Sequence, residues 1–388
     1  MNLIFSPNIT DLEKEICQKY WELDKENNFI HTAKDLCQEY QINNTQLSKT
    51  LERCCLVHSD TIQCPKCLSP YVFKNRTDFK NTKNTSSTTC RQCIQEEIQK
   101  RQQEQHRLEL KRYQYLCDSA DSFLSKELNY DDLTFLDKLY LLSLIKMCIS
   151  EDLSYLDSVT SRLNQKLTPS QDFSAELLKH LYHNNLIQIS PDSTKESIDW
   201  RENQVDGFSF YLERVRWIIP NFNGLRTNEF IEKLEKDIKN SINDTENHQA
   251  LYDIFKRSAL EECLSYLTYK INEYNLNFSA GEKTRYVFNK ILNDYAVSQV
   301  YYFIDKGCRD AVANYSKGTY SKKHASNTII GSIERLSERA TLENWQIKSW
   351  NRIKELPQSY LSIVIFDLIL NKKDGGFNFS LNELVLFS

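Results

Sequence analysis

Residues 64–93 read CPKCLSPYVFKNRTDFKNTKNTSSTTCRQC, and this stretch decides how the first part of the chain folds. It opens with the pair Cys64 and Cys67 and closes with the pair Cys90 and Cys93, with twenty-two residues between the pairs. Four thiolates are a complete tetrahedral ligand set for Zn²⁺ and leave no coordination position open for a substrate. The spacing therefore predicts a structural zinc site rather than a catalytic one.

This spacing resembles that of zinc ribbons and of the related treble-clef folds. The resemblance implies a small fold held together by one ion. The Ser/Thr/Asn-rich residues 81–89 have too little apolar surface to order themselves, so the metal would supply that free energy, on the order of 10 kcal/mol. Cys54, Cys55 and His58 lie just upstream and are alternative ligands. Four unligated thiols or a redox pair are the other interpretations.

Upstream of the cysteines, residues 32–51 read TAKDLCQEYQINNTQLSKTL and resemble the helix-turn-helix of the lactose-repressor type. The resemblance implies that Thr32 opens the first helix, that Asn43 caps the second, and that the second helix enters the major groove. Gln41 takes a turn position often held by glycine, so it must adopt a left-handed conformation. A helical hairpin used for packing or dimerisation is the alternative. The predicted base and phosphate contacts on the second helix are Asn44, Thr45, Gln46, Ser48, Lys49 and Arg53.

A basic segment follows the helix-turn-helix. Residues 61–115 contain eleven Lys and Arg against five Asp and Glu, whereas residues 1–60 contain six against ten. Phosphate binding depends on such local positive charge, so the formal net charge of −4 does not exclude a nucleic-acid partner. We predict further DNA contacts at Lys74, Arg76 and Lys80, with Lys83 in the same band. Tyr71 and Phe73, interleaved with these cations, are expected to form a small core.

The rest of the chain is expected to be mainly α-helical and multidomain. We predict a helix-turn-helix domain at 1–58, a zinc ribbon at 59–95, a connector helix at 96–130, a winged-helix-like unit at 131–222 and a helical C-terminal domain at 223–388. Helix, helix and then strand is the pattern that suggests the winged-helix unit. Beyond Thr227 the pattern is helical to near Leu370, with breaks expected at 275–280, Gly307, 317–321, 342–343 and Pro357.

Several functional classes are excluded or disfavoured by the sequence. The first of the 8 glycines is Gly207, so the N-terminal half contains no glycine-rich phosphate-binding loop. No apolar stretch is long enough for a membrane helix, and no secretory signal is visible, so we expect a cytoplasmic protein with reduced cysteines. No spacing in the chain matches a known catalytic motif, and we therefore predict that it is not an enzyme.

The prediction from sequence is a zinc-containing DNA-binding protein, a regulator or recruitment factor, for which RNA is an alternative ligand. Its C-terminal helices are expected to form a homodimer or bind a protein partner. A second hypothesis is a defence or mobile-element effector that acts on nucleic acid through a C-terminal site containing Glu262 or His324. A third is a protein-interaction scaffold in which the ribbon binds protein.

Overall fold

The computed structural model describes residues 1–82 and 89–383 and confirms that the protein is mainly helical. The described chain forms two compact units, the first covering Met1–Glu109 and the second beginning at Leu110. The finer division into five segments stays a prediction.

Three short helices form the first part of the N-terminal unit. They are α1 (Asp11–Trp21), α2 (Ala33–Glu39) and α3 (Asn44–Cys54), and α2 and α3 begin directly after Thr32 and Asn43 as expected. Each begins at a capping box, with Thr10, Thr32 or Asn43 at the N-cap. In a capping box the cap side chain and the side chain three residues later satisfy two backbone N–H groups that lack helical partners. These local signals explain why the three helices are predictable from sequence.

A three-stranded antiparallel sheet completes this part, and the sequence analysis did not predict it. Its order is β1 (Asn2–Phe5), β2 (Cys55–Gln63) and β3 (Pro70–Phe73), with β2 in the centre. Val57 pairs with Phe73 and packs inward, whereas Ile4 pairs with Leu56 on the outer face. Because apolar residues occupy both faces of these short strands, the sequence lacks the alternation that marks a half-buried strand.

Two further helices follow the sheet. The first, α4 (Arg76–Thr82), packs Phe79 into the core between the sheet and the helices. The second, α5 (Arg91–Leu124), overlaps the connector helix predicted at 96–130, but it begins five residues earlier and ends six residues earlier. It contributes residues to both compact units.

The second unit contains the remaining helices and six very short strands. The helices are α6 (Phe135–Cys148), α7 (Gln171–His183), α8 (Thr227–Asn240), α9 (Glu246–Glu273), α10 (Glu282–Leu292), α11 (Val297–Ser316), α12 (Lys322–Asn327), α13 (Ile329–Leu342), α14 (Tyr360–Ser362), which continues as a π-helix over Ile363–Ile369, and α15 (Gly375–Asn378). The strands are β4 (Glu127–Leu128), β5 (Gln188–Ile189), β6 (Ile198–Trp200), β7 (Phe208–Phe210), β8 (Trp217–Ile218) and β9 (Asn221–Phe222). They pair as β4 with β9, β5 with β8 and β6 with β7.

One hydrophobic core extends through the second unit, from Leu116 to Leu381. The helix α6 is apolar on most of its surface and packs against both α8 and α14. Residues 131–222 therefore share a core with the helices that follow them. A winged-helix-like unit at 131–222 stays a prediction about local topology only.

The helix break expected at Gly307 is wrong, because α11 continues through this residue. A Cβ placed on Gly307 would lie 2.8 Å from Ile333 Cγ1 of α13. The glycine therefore lets two helices approach closely instead of ending one of them. The breaks expected at 275–280, 317–321, 342–343 and Pro357 are confirmed.

Candidate metal centre and the surface around it

The sulfur atoms of Cys64, Cys67, Cys90 and Cys93 all lie within 4.8 Å of one another. The Sγ atoms of Cys67 and Cys90 are 3.6 Å apart. At a Zn–S distance of about 2.3 Å, sulfurs at the corners of a tetrahedron are about 3.8 Å apart. The four predicted ligands are thus brought together at a spacing that can hold a metal ion.

The first cysteine pair lies in the turn between β2 and β3. The backbone N–H of Leu68 donates to the carbonyl of Cys64 at 2.8 Å, and the N–H of Cys64 donates to the carbonyl of Ser69 at 2.9 Å. Leu68 closes this turn with a left-handed φ of 60° and an exposed side chain. The turn folds the chain back on itself and places both thiols on the same side.

The second pair lies at the start of a long helix. Cys90 precedes α5 directly, its carbonyl accepts the N–H of Ile94 at 3.0 Å, and Cys93 is in the first turn. The N-terminus of a helix carries partial positive charge, which stabilises thiolates. The helix therefore provides both the position and part of the electrostatic environment of this pair.

Hydrogen bonds favour the metal-binding thiolate form of Cys64 and Cys67, whereas contacts with the thiols of Cys90 and Cys67 raise the pKa of Cys93. The N–H of Cys90 points at Cys64 Sγ at 3.3 Å and lowers the pKa of the Cys64 thiol to about 6. Ser69 lowers the pKa of Cys67 in the same way, through its side chain and its backbone N–H. Lys66, between the first two ligands, forms an ion pair with Glu97 of α5 and so links the turn to the helix.

The alternative ligands are not part of the cluster. Among the described residues, the only group of three or more metal-binding side chains is the four-cysteine cluster. Cys54 and Cys55 instead lie in the hydrophobic core of the N-terminal unit with Cys17. Buried thiols at such positions act as small apolar side chains.

Helix α3 carries the six predicted contact residues. They differ in whether their side chains have hydrogen-bond or ion-pair partners within the protein. All six are exposed, while Leu47 on the same helix is 2% exposed and faces inward. Within the described part of the chain, Thr45, Ser48 and Lys49 make no side-chain hydrogen bond or ion pair. These three side chains are available to a partner.

The other three predicted residues of α3 have partners inside the protein. Gln46 accepts the N–H of Asn43 at 2.9 Å, and Asn44 accepts the thiol of Cys37 at 3.3 Å. Arg53 forms an ion pair with Glu13 of α1. Their side chains contribute to the helix cap and to the packing of α1 against α3.

Arg76 is placed differently from what the sequence suggested. Its guanidinium is half-buried, donates to the carbonyls of Tyr20 and His31, and stacks over the rings of Tyr20 and Phe29 at 4.0 and 4.4 Å. Burial lowers its pKa. Arg76 therefore joins α4 to the end of α1 and to the segment before α2. A sequence reading cannot distinguish such an internal arginine from a phosphate-binding one.

Lys74 and Lys80, the other predicted contacts in the basic segment, are exposed. Lys80 lies 6.0 Å from the ring of Phe29, and Lys74 lines a cavity of about 520 Å³ together with Arg91. The same cavity is bordered by Cys67 and Cys90, so these two cations lie beside the metal-binding cluster. Lys83 lies outside the described residues. The aromatic residues Tyr71 and Phe73 are buried, which confirms that they form a small core.

Several polar residues of the C-terminal half that could be candidates for a catalytic site form separate ion pairs. Glu261 pairs with Arg285, and Glu338 pairs with Lys290. Lys306 and Asp310 pair with each other along α11. Glu262 is buried beside Arg352, a residue that sequence reasoning missed because it lies in an irregular segment with no motif.

None of the helices described has both the length and the apolar character required to cross a bilayer. Comparison of the chain with protein-family models, with curated proteins and with solved structures finds no match.

Proposed function

We propose that the N-terminal unit is a zinc-stabilised DNA-binding module. Cys64, Cys67, Cys90 and Cys93 would hold the ion, because four thiolates suit Zn²⁺ and leave no position for a substrate. The ion would act structurally. Its ligands come from the β2–β3 turn and from the start of α5, so binding would fix these two elements against each other.

The observation that carries the DNA-binding proposal is the free polar surface of α3. Thr45, Ser48 and Lys49 are exposed, and their side chains have no partner within the described residues. The helix follows a tight turn after α2, which is how a helix-turn-helix presents its recognition helix to the major groove. The β2–β3 hairpin comes next in the chain, and helices followed by a hairpin are the order of elements in winged-helix proteins.

Within this proposal the exposed residues divide into two roles. Thr45 and Ser48 are short hydroxyl side chains that suit base edges, while Lys49 suits either a base or a phosphate. Lys74 and Arg91, beside the metal-binding cluster, would neutralise phosphates and set the orientation of the module on the duplex.

The test is duplex-DNA binding by the full-length protein over a salt series, with a random-sequence duplex as the probe. We expect Lys49→Gln to weaken binding and to reduce the salt slope by about 1. Lys25→Gln is the matched control, since it removes the same charge from an exposed lysine outside α3. Equal effects of the two substitutions, or no binding at low salt, would contradict the proposal.

Binding of a protein partner is the second candidate function. The outer face of the sheet exposes Ile4 by 55% and its neighbour Leu56 by 54%, and Val72 of β3 is also exposed. Adjacent exposed apolar side chains are typical of protein contact surfaces. Ile4 lies on this face but does not line the cavity that contains Lys74 and Arg91. A variant Ile4→Asp that abolishes self-association while leaving DNA affinity unchanged would assign this face to protein binding.

A further inference from the structure

The turn between α11 and α12 presents a cluster of lysines and tyrosines that the proposed function does not use. The sequence from Tyr315 to His324 reads YSKGTYSKKH, and no Asp or Glu occurs between Asp310 and Glu334. Tyr315 is 47% exposed and Tyr320 is 39% exposed. Lys317 and Lys323 are exposed as well.

The turn has a defined structure. Gly318 adopts a left-handed φ of 70°, its N–H donates to the carbonyl of Tyr315 at 2.9 Å, and the N–H of Thr319 donates to the carbonyl of Asn314 at 3.1 Å. These two bonds are the Schellman motif that ends many helices. The exposed side chains are therefore held on a fixed backbone.

The exposed tyrosine at position 320 is also held in place. Its ring packs against the imidazole of His324, with ring centroids 4.4 Å apart. A ring supported on one side and exposed on the other can stack a planar ligand without losing much conformational freedom. Tyr320 is not part of the hydrophobic core of this unit, so packing in the core does not explain why an aromatic residue is present here.

Helix stability does not explain the positive charge. Lys322 and Lys323 occupy the first turn of α12, which contains no acidic residue. Cations are unfavourable at a helix N-terminus because the helix dipole is positive there. Lys322 donates to Asn275 at 3.2 Å, whereas Lys317 and Lys323 have no partner within the part of the chain that the structure describes.

We propose that this turn is a binding site for single-stranded nucleic acid. Lys317 and Lys323 would attract the phosphate backbone, and Tyr315 and Tyr320 would stack on bases. In a duplex the faces of each base are covered by the neighbouring bases, whereas in a single strand they are free to stack on aromatic side chains. Cations beside exposed aromatic rings, with no acidic residue in the segment, fit this ligand class best. The inference does not depend on DNA reading by α3.

The experiment measures the affinity of the full-length protein for a fluorescein-labelled oligothymidylate over a salt series. We expect Lys317→Gln with Lys323→Gln to reduce the salt slope by about 1.4, since each phosphate contact on a single strand contributes about 0.7. We expect Tyr320→Ala to weaken binding about tenfold, while Tyr320→Phe keeps the stacking ring and the affinity. All substituted side chains are exposed, and thermal melting checks that each variant is folded.

Two controls separate this site from general charge and from the N-terminal unit. Lys348→Gln with Lys354→Gln removes the same charge from exposed lysines elsewhere in the second unit and should leave binding unchanged. Lys49→Gln, which tests the DNA-binding proposal on a duplex, should leave oligothymidylate binding unchanged. The proposal is overturned if Tyr320→Ala has no effect, if both lysine pairs act equally, or if only Lys49→Gln weakens binding.

Discussion

Arg352 Nη1 lies 3.1 Å from Glu262 Oε2, and the Nη2 and Nε atoms of the same guanidinium donate to Asp374 at 2.8 and 3.0 Å. The side chain of Glu262 is only 8% exposed, and burial raises its pKa while Arg352 opposes that shift. One arginine thus holds α9 and the segment before α15 together.

Removal of this guanidinium should destabilise the second unit strongly. We expect Arg352→Met to cost about 3–5 kcal/mol, because it leaves the buried carboxylate of Glu262 without its partner. Arg339→Met is the control, since Arg339 is exposed and pairs with Glu343 one turn away, an interaction worth about 0.2–0.5 kcal/mol. Urea unfolding followed by tryptophan fluorescence measures both, and equal losses would contradict this account.

The close approach of α11 and α13 gives a second prediction. Gly307→Ala should destabilise the protein by about 1–3 kcal/mol, because the new methyl group overlaps Ile333. Gly331→Ala on α13 should have the opposite sign, a gain of about 0.5–1 kcal/mol, since no atom lies within 3.4 Å of the added Cβ and alanine favours a helix. Thermal melting distinguishes the two. A stabilising Gly307→Ala would show that the helices can separate without cost.

The turn between α2 and α3 gives a third prediction. Gln41 has the left-handed φ of 49° that the sequence required, which costs a non-glycine residue about 1–2 kcal/mol. Gln41→Gly should therefore stabilise the N-terminal unit. The same substitution at Gln38, exposed inside α2, should destabilise it by about 0.5–1 kcal/mol. Hydrogen exchange of the amides of α1–α3 measures both changes in stability. If the two substitutions both stabilise or both destabilise the unit, the explanation from the backbone conformation of Gln41 is wrong.

Metal removal should affect only the N-terminal unit. We expect about one zinc ion per chain, and we expect Cys67→Ser or a strong chelator to expose the β2–β3 turn and the start of α5 to protease. Cys117→Ser is the control, because Cys117 lies on α5 outside the four-cysteine cluster. Wild-type protease resistance after complete metal removal would mean that the cluster is stable without an ion.

The loop after α6 gives a pH dependence. The hydroxyl groups of Ser150 and Ser154 donate hydrogen bonds to the carboxylate of Asp152. These bonds, of which that from Ser150 has the larger effect, lower the pKa of Asp152 to about 2. A depressed folded-state pKa contributes stability that is present above the unfolded value of about 3.9 and is lost as the pH falls toward 2. The melting temperatures of the wild type and Asp152→Asn should therefore differ at pH 5 and converge near pH 2. A constant difference would show that Asp152 acts through neutral contacts.

The features carried by local signals were predictable from sequence, and those set by distant contacts were not. Helix caps at Thr32 and Asn43 and the cysteine spacing identify α2, α3 and the four-thiol cluster. β1 was missed because it pairs with residues of β2 about fifty positions away, and β2 and β3 were missed because apolar residues occupy both of their faces. The helix break at Gly307 was wrong, and the internal hydrogen bonds of Arg76 were not foreseen, for a related reason: both depend on partners that are not adjacent in the chain.

The position of Cys90 and Cys93 at the start of α5 also has a kinetic consequence. The first turn is the slow step in forming a helix, because several residues must be fixed before one hydrogen bond is gained. An ion bound to these two cysteines fixes that turn in advance. We therefore expect metal to accelerate refolding of the N-terminal unit as well as to stabilise it, with the effect largest on the rate at which α5 acquires its helical signal.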